Sequence, residues 1–308
     1  MLSEAMASLF KALASRLAHV LVVLAVSAYP IAAEPLLVVG KDFTEQGLVA
    51  ELTRQLLASK GFDVQKIHGL STSEMHKHMY LKKGDIYWEY TTTRLFLTYG
   101  DTANYDKDAA YARVRQLDLA KGYTWLKPTE VNNTYALAIR AQTADEAKIT
   151  TISELFAAFG NGANLIVGIN TEFAERPDGL EPLERAYGSR FPRATIRQVD
   201  TDYIYQALRI FGVDVGVVFS TDGRINGYDL KILRDDKGFF FNYFLAPVVK
   251  TETVQAHPAL VEALETLASK LDGATMTRLN AAVDVERRLI RDVAAAFLKD
   301  SGLVRSDR

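Results

Sequence analysis

The chain has 308 residues, the length of about two ordinary domains. Hydrophobic residues make up 48% of it and charged residues 24%, a composition that excludes a disordered chain. Its 36 basic and 38 acidic side chains leave no positive excess for nucleic-acid phosphates, and the lack of cysteine excludes disulfides, thiol nucleophiles, cysteine-bound metals and an N-terminal lipidated cysteine.

Residues 1–33 have the pattern of a secretory signal peptide. Lys11 and Arg16 precede an apolar run, Val20–Val26, and small residues follow it. The run is shorter than the roughly 20 apolar residues that cross a bilayer. A basic segment, a short apolar run and small residues are typical of a cleaved export signal. We predict cleavage after Ala33 and a periplasmic mature protein; the alternative is an uncleaved membrane anchor.

Up to residue 90 the mature chain alternates between strand-like and helical segments. Asp42 and Glu45 have the spacing of a capping box before the first helix, which Gly61 ends. This alternation predicts parallel α/β structure. The predicted elements are a strand at Leu36–Val39, a helix over 48–60, a strand at Val64–Ile67, a polar helix at Ser73–Lys83 and a strand at Asp85–Tyr90.

The rest of the chain contains a second α/β region and, beyond Pro247, a mostly helical end. Helices are predicted at Asp106–Lys121, Ser153–Phe159, Leu180–Tyr187 and Tyr203–Phe211. Strands are predicted at Leu165–Ile169, Thr195–Val199, Val213–Val218 and Leu230–Leu233.

Two apolar, strand-like segments connect these regions without a flexible linker. They are Thr134–Arg140 and Phe244–Lys250. We predict that they cross between two lobes and act as a hinge. Lobe I would comprise residues 34–137 and 246–308, and lobe II residues 138–245.

Motifs of catalysis and metal binding are weak or missing in the sequence. It has no GxSxG, HExxH, P-loop or GxGxxG motif. Glu74, His76 and His78 lie on one predicted helix, but without a further ligand they indicate a solvated helix face rather than a metal site. Asp235 and Asp236 precede Lys-Gly and indicate a turn rather than an acid/base pair. We therefore predict no catalytic residues, no metal and no cofactor.

Aromatic and polar residues concentrate instead where predicted strands end or begin. In open α/β sheets, ligands bind outside the carboxyl ends of the strands. These residues therefore predict one cleft between the lobes. The segments are Lys41–Gln46, Glu89–Thr93, Asn132–Tyr135, Phe219–Gly223 and Phe239–Tyr243.

The order of KDFTEQ, GDIYWEYTTT, NNTYALAIR, EFAERPDGL, FSTDGRINGYDL, LRDDKGFFFNY and APVV resembles the substrate-binding proteins of osmoprotectant importers, the glycine betaine/choline type of ABC transporter. The resemblance extends over about residues 36–300. It implies an α/β, two-lobed type II periplasmic-binding-protein fold with two crossover hinge strands. It also implies a quaternary ammonium ligand in an aromatic cage and delivery to a membrane permease. We predict in addition a monomer that catalyses no reaction and, from the charge balance, binds no nucleic acid.

The resemblance also assigns the ligand-binding residues. The cage rings fall on Tyr90, Tyr135, Phe219 and Tyr243, and the polar groups on Lys41, Thr93, Asn133 and Arg176. Three departures from the family pattern leave the exact ligand open. Phe219 replaces a frequent Tyr, Trp88 replaces a Pro and Thr92 replaces a Gly, and the last two are expected to crowd the wall beside Tyr90.

A trimethylammonium head has no N–H to donate, so ring faces suit it better than hydroxyls, by cation–π attraction. The carboxylate of a betaine needs donors, and Lys41 and Arg176 are candidates. Two alternatives stay open: Lys41 is solvated, or Arg176 pairs with Asp178.

Three rival functions also stay open. The ligand is choline, carnitine or another betaine; the protein is a periplasmic enzyme with Asp222 or Glu89 as base; or it is a sensor module that docks a receptor.

Overall fold

The computed structural model describes residues 34–81 and 83–305, so the predicted signal peptide lies outside the described residues. The described residues from Leu36 onward form one compact unit. Within the described residues, no helix has the length and apolar character needed to cross a membrane.

The described residues contain two five-stranded mixed sheets. The first has the strand order β2-β1-β3-β10-β4 and the second β7-β6-β8-β5-β9. The strands are β1 (Leu36–Lys41), β2 (Val64–Leu70), β3 (Ile86–Tyr90), β4 (Tyr123–Trp125), β5 (Tyr135–Arg140), β6 (Val167–Ile169), β7 (Ile196–Gln198), β8 (Val215–Phe219), β9 (Leu230–Ile232) and β10 (Leu245–Lys250).

Helices of different lengths connect and cover these strands. They are α1 (Thr44–Ser59), α2 (Thr72–Tyr80), α3 (Thr91–Arg94), a π-helical turn (Leu95–Tyr99), α4 (Lys107–Leu119), α5 (Ala141–Ala147), α6 (Ile152–Gly160), α7 (Thr171–Glu175), α8 (Leu180–Tyr187), a 3₁₀ turn (Arg193–Thr195), α9 (Thr201–Arg209), α10 (Arg224–Gly227), α11 (Thr251–Ala256), α12 (Ala259–Ala268), α13 (Gly273–Asp284) and α14 (Ile290–Asp300).

The two sheets follow the same plan. In the first, β1 pairs in parallel with β2 and β3, and β10 runs antiparallel between β3 and β4. In the second, β6 pairs in parallel with β7 and β8, and β5 runs antiparallel between β8 and β9. Strands β3, β5 and β10 are buried along their whole length, because helices cover the sheets. This accounts for their nearly continuous apolar sequences.

The chain passes between the sheets twice, in residues 126–134 and 233–244, and the two passages lie side by side. The amide of Asn133 donates to the carbonyl of Tyr243 at 3.1 Å, and the amide of Leu245 donates to the carbonyl of Val131 at 3.1 Å. The predicted crossover strands thus appear as β5 and β10, each an inner strand of its own sheet, and the crossings immediately precede them.

The C-terminal helices also contact both parts of the molecule. Helices α12, α13 and α14 pack on α1, and α13 also contacts α10, which follows β8. At the second contact Gly223 lies so close to α13 that an added Cβ would be 2.5 Å from backbone atoms of Ala281. Only a residue without a side chain fits there.

We expect Gly223→Ala to lower the free energy of unfolding by about 1–3 kcal/mol, because the methyl group must displace backbone. Urea unfolding of the mature chain measures this. Gly160→Ala is the matched control: it ends α6 with open space around it, so it should be neutral or stabilising by less than about 1 kcal/mol. Equal stability of the two variants would contradict the tight contact.

Candidate functional site

One cleft between the two sheets collects all eight sequence-predicted site residues. Its volume is about 460 Å³, counted out to its solvent-filled mouth. The predicted residues that line it are Lys41, Tyr90, Thr93, Asn133, Tyr135, Arg176, Phe219 and Tyr243. It is also lined by residues that are not among the eight predicted: Asp42, Phe43, Thr72, Asn170, Glu172 and Thr201.

The fold explains why distant segments meet in this cleft. Strands β1, β3 and β8 end there with Lys41, Tyr90 and Phe219, as expected for the carboxyl ends of strands in α/β sheets. The two passages between the sheets supply Asn133 and Tyr243. Thr93 lies in α3, Tyr135 begins β5 and Arg176 directly follows α7.

The rings in the cleft form a continuous series. Ring centroids are 5.0 Å apart for Tyr135 and Phe219, and 5.9 Å apart for Tyr135 and Tyr243. Phe43 extends the series, with its centroid 5.2 Å from that of Phe219 and 6.3 Å from that of Tyr90. Sequence reasoning missed Phe43 as a cleft ring, although it lies in the strand-end segment Lys41–Gln46 that was singled out.

Lys41 is not solvated, so that alternative is wrong. It is only 3% exposed, and its Nζ donates to Oε1 of Glu89 at 2.7 Å. The other carboxylate oxygen of Glu89 lies 2.5 Å from Nε2 of His76. The prediction of a solvated helix face is therefore wrong for His76, because α2 turns this ring inward onto a buried carboxylate.

Glu89 is held in its ionised form. Burial raises the pKa of this carboxyl, but the charge of Lys41 and the contact with His76 outweigh burial and lower the pKa to about 2. A carboxylate with so low a pKa is a weak base. Asp222, the other base considered, receives hydrogen bonds at 2.9 and 2.7 Å from Nε and Nη2 of Arg224. Both carboxylates are thus committed to ion pairs.

Arg176 pairs with Asp178 and also lines the cleft. Its Nε and Nη2 donate to the two carboxylate oxygens of Asp178 at 2.7 and 2.9 Å, and its Nη1 donates to Glu172 at 2.8 Å. The guanidinium carbon lies 5.3 Å from the ring centroid of Tyr135 and 5.7 Å from that of Tyr243. The alternative of an Arg176–Asp178 pair is therefore correct, and it leaves the guanidinium beside the rings.

Another buried carboxylate, Glu45, lies behind the rings. It accepts hydrogen bonds from the hydroxyls of Tyr90 and Thr221, each at 2.6 Å, and from the side-chain amides of Asn133 at 3.0 Å and Asn280 at 3.3 Å. Burial raises the pKa of Glu45, against the opposing effect of these hydrogen bonds.

The capping-box prediction for Asp42 and Glu45 is wrong. Helix α1 begins at Thr44, and the preceding residue, Phe43, makes no side-chain cap. Glu45 therefore lies in the first turn of the helix, and its side chain is directed to the hydrogen-bond donors behind the cleft.

Two residues that depart from the family pattern, Trp88 and Thr92, are not among the described residues that line the cleft. Trp88 is buried and donates from Nε1 to the hydroxyl of Thr53 on α1 at 2.8 Å. The hydroxyl of Thr92 donates to the carbonyl of Asn242 at 2.5 Å. The expectation that these two residues crowd the cleft wall is therefore wrong, because both side chains are used in packing behind it.

Comparison with known proteins accounts for this architecture. Residues 34–300 match the family model of the substrate binding domain of ABC-type glycine betaine transport systems. The chain belongs to this family. It is 40% identical over 278 residues to a glycine-betaine-binding protein of Pseudomonas aeruginosa, covering 88% of this chain and 89% of the relative. It is 30% identical over 292 residues to the glycine betaine-binding protein YehZ of Escherichia coli, covering 92% and 96%.

Solved structures agree with the family assignment. A crystal structure of a glycine betaine/carnitine/choline ABC transporter protein superposes with a TM-score of 0.70 at 27% identity, covering 87% of this chain and 99% of that chain. The prediction of a two-lobed α/β binding-protein fold is thus confirmed, and so is the family resemblance.

The ionised state of Glu89 predicts a specific acid dependence of stability. Its pKa is lowered from 4.5 to about 2 in the folded protein. Stability from this group is therefore complete above the unfolded pKa and is lost as the pH falls through the folded pKa. Between about pH 2 and about pH 4.5, the free energy of unfolding should therefore change less in Glu89→Gln than in the parent. The difference between the two changes should be up to about 3 kcal/mol.

Urea unfolding of the mature chain between about pH 2 and about pH 6 measures this slope. Glu130→Gln removes a carboxylate whose side chain is 73% exposed, and it should keep the slope of the parent. If the free energy of unfolding of Glu89→Gln depends on pH as strongly as that of the parent, the Lys41–Glu89 pair does not hold the carboxyl ionised.

Proposed function

We propose that this protein captures a quaternary ammonium osmoprotectant, glycine betaine or a related betaine or choline, in the periplasm and delivers it to the membrane permease of an ABC importer. The observation that carries the proposal is the continuous series of five rings in the cleft of a chain from this family. The glycine betaine-binding relative that is 40% identical supports the choice of ligand class.

The chemistry of the ligand explains why rings are suited to this task. A quaternary ammonium spreads its charge over methyl groups and cannot donate a conventional hydrogen bond. Each ring face attracts it by about 0.5–2 kcal/mol, depending on desolvation. Several rings together are sufficient for micromolar binding, about −8 kcal/mol, after the entropic cost of association. The proposed cage consists of Tyr90, Tyr135, Phe219 and Tyr243, with Phe43 added.

The polar groups of the cleft are suited to the other end of a betaine. Lys41 and Arg176 both line the cleft, and each is neutralised by protein carboxylates. A ligand carboxylate would therefore receive partial rather than full positive charge from them. Thr93 and Asn133 add neutral polar groups to the same wall. This arrangement supports a betaine but also accommodates choline, which needs no carboxylate partner.

Delivery requires that the ligand be enclosed and then released. We propose that lobe I (residues 34–137 and 246–308) and lobe II (residues 138–245) close on it about the paired passages that precede β5 and β10. We also propose that the mature protein acts as a monomer after cleavage of residues 1–33. Closure about two adjacent crossing segments is a hinge motion of the usual kind.

Calorimetry of the mature chain with glycine betaine, choline, carnitine and proline betaine tests the proposed function. We expect at least one of them to bind with a Kd of about micromolar order, and tert-butanol, a small uncharged solute, to bind far more weakly. Absence of binding by all four quaternary ammonium compounds would overturn the proposal. Recovery of the bound ligand unchanged after incubation distinguishes binding from turnover.

Removal of single rings tests the cage. Tyr135→Ala and Tyr243→Ala should each weaken binding of the best quaternary ammonium ligand by about tenfold or more, because each removes a desolvated ring face. Phe43→Ala should weaken it in the same direction. Tyr80→Ala, at a tyrosine that is 80% exposed, is the control and should bind like the parent. Parent-like binding by both cleft tyrosine variants would mean that these rings serve packing alone.

A further inference from the structure

The polar groups behind the rings differ in how their charge is balanced. The carboxylate of Glu89 faces Lys41 at 2.7 Å, and that of Asp178 faces Arg176 at 2.7 and 2.9 Å. Glu45 is different. Its four hydrogen-bond partners, Tyr90, Asn133, Thr221 and Asn280, are all neutral, and among the described residues no ion pair includes it.

We infer that Glu45 is the counter-charge of the cleft: a positioning residue that acts through Tyr90 and makes the cage prefer a positively charged head group to a neutral one of the same shape. This inference rests on the proposed function. It goes beyond ring faces alone, because ring faces also attract a neutral head group of the same shape by packing.

The burial of Glu45 makes its negative charge costly. The residue is only 2% exposed, and a carboxylate in such a place is costly unless charge or hydrogen bonds compensate it. Its four neutral donors compensate it in part, and burial still raises its pKa. A cation bound in the adjacent cleft would supply the missing opposite charge, and by reciprocity the carboxylate would strengthen binding of that cation.

Tyr90 connects Glu45 to the cleft. Its hydroxyl donates to Oε1 of Glu45 at 2.6 Å, and its ring also lines the cleft. A phenol that donates to a carboxylate is polarised so that its ring becomes more electron-rich, and the low dielectric of the interior strengthens this effect. The attraction of a cation to the ring face depends on that electron density. The carboxylate thus acts on the ligand without touching it.

The positively charged side chains of the cleft are paired with carboxylates. The cleft contains two cationic side chains, Lys41 and Arg176, which would repel a quaternary ammonium. Each is paired with one or two carboxylates, and Arg176 binds Glu172 as well as Asp178. The pairs remove most of this repulsion. The carboxyl group of Asp42 also lines the cleft, but that residue is exposed to solvent, whereas Glu45 is buried and is paired with no cation of the described residues.

The experiment compares quaternary ammonium ligands with isosteres in which carbon replaces the nitrogen, so that the head group alone loses its positive charge. The pairs are choline with 3,3-dimethylbutan-1-ol, and glycine betaine with 3,3-dimethylbutanoate. Calorimetric competition gives the ratio of the isostere Kd to the Kd of the quaternary ammonium for each mature chain. This ratio reports head-group charge, and a change that only loosens the cleft affects both members of a pair alike.

We expect the ratio to fall about tenfold in Glu45→Gln and by a smaller factor in Tyr90→Phe, which keeps the ring and the carboxylate but breaks the link between them. The matched control is Asp235→Asn, because Asp235 accepts from the hydroxyl of Tyr187 at 2.6 Å, and neither residue lines the cleft. It should keep the parent ratio.

The outcomes are distinct. A ratio within twofold of the parent in both Glu45→Gln and Tyr90→Phe, when the parent binds a quaternary ammonium, overturns the counter-charge role and leaves the proposed function intact. A parent that binds no quaternary ammonium overturns the proposed function and this inference with it. If Glu45→Gln fails to fold, the ratio in Tyr90→Phe decides: a fall supports the role of Glu45 and an unchanged ratio overturns it.

Discussion

The arrangement of the cleft depends on one buried carboxylate. Glu45 lies in the first turn of α1 and gathers hydrogen bonds from the end of β3, from the first passage between the sheets, from the segment after β8 and from α13. The most distant of these donors, Asn280, is 235 residues away in the sequence. Because a buried carboxylate without donors is strongly destabilising, these segments are constrained to meet at one point. That point is directly behind the rings.

Charge balance is the second constraint on the cleft, and it determines the net charge that the cleft wall presents to a ligand. His76, Glu89 and Lys41 form one chain of contacts, and Arg176 with its two carboxylates forms another. Each buried cation needs a partner, since leaving one member of such a pair alone is far more costly than the pair itself is stabilising. The consequence is that the positive charges of Lys41 and Arg176 are largely cancelled, so that they do not outweigh the attraction of the cleft-lining ring faces for a cation.

The strands and the cleft could be predicted because their signals are local or carried by strand ends. A continuous apolar run predicted β1, and residues at strand ends predicted one cleft. The family resemblance assigned the eight candidate residues, and all of them line that cleft. Glu45 was misinterpreted because its spacing from Asp42 also fits a capping box, and its real partners are distant in sequence. His76 was misinterpreted for the same reason: nothing on its own helix reveals Glu89. Phe43 was missed because a single ring beside a strand end is compatible with packing alone.

The three residues that depart from the family pattern differ in their position relative to the cleft. Trp88 donates a hydrogen bond to Thr53, and Thr92 donates one to the carbonyl of Asn242, so both residues change the packing behind the cleft. Phe219 alone among the three lines the cleft, where its ring is in contact distance of Phe43 and Tyr135. A phenylalanine there keeps the ring face and removes a hydroxyl. The missing hydroxyl therefore leaves the attraction for a quaternary ammonium head group in place and removes one polar contact. Any difference in ligand choice from relatives that have tyrosine at this position should concern the rest of the ligand rather than its head group.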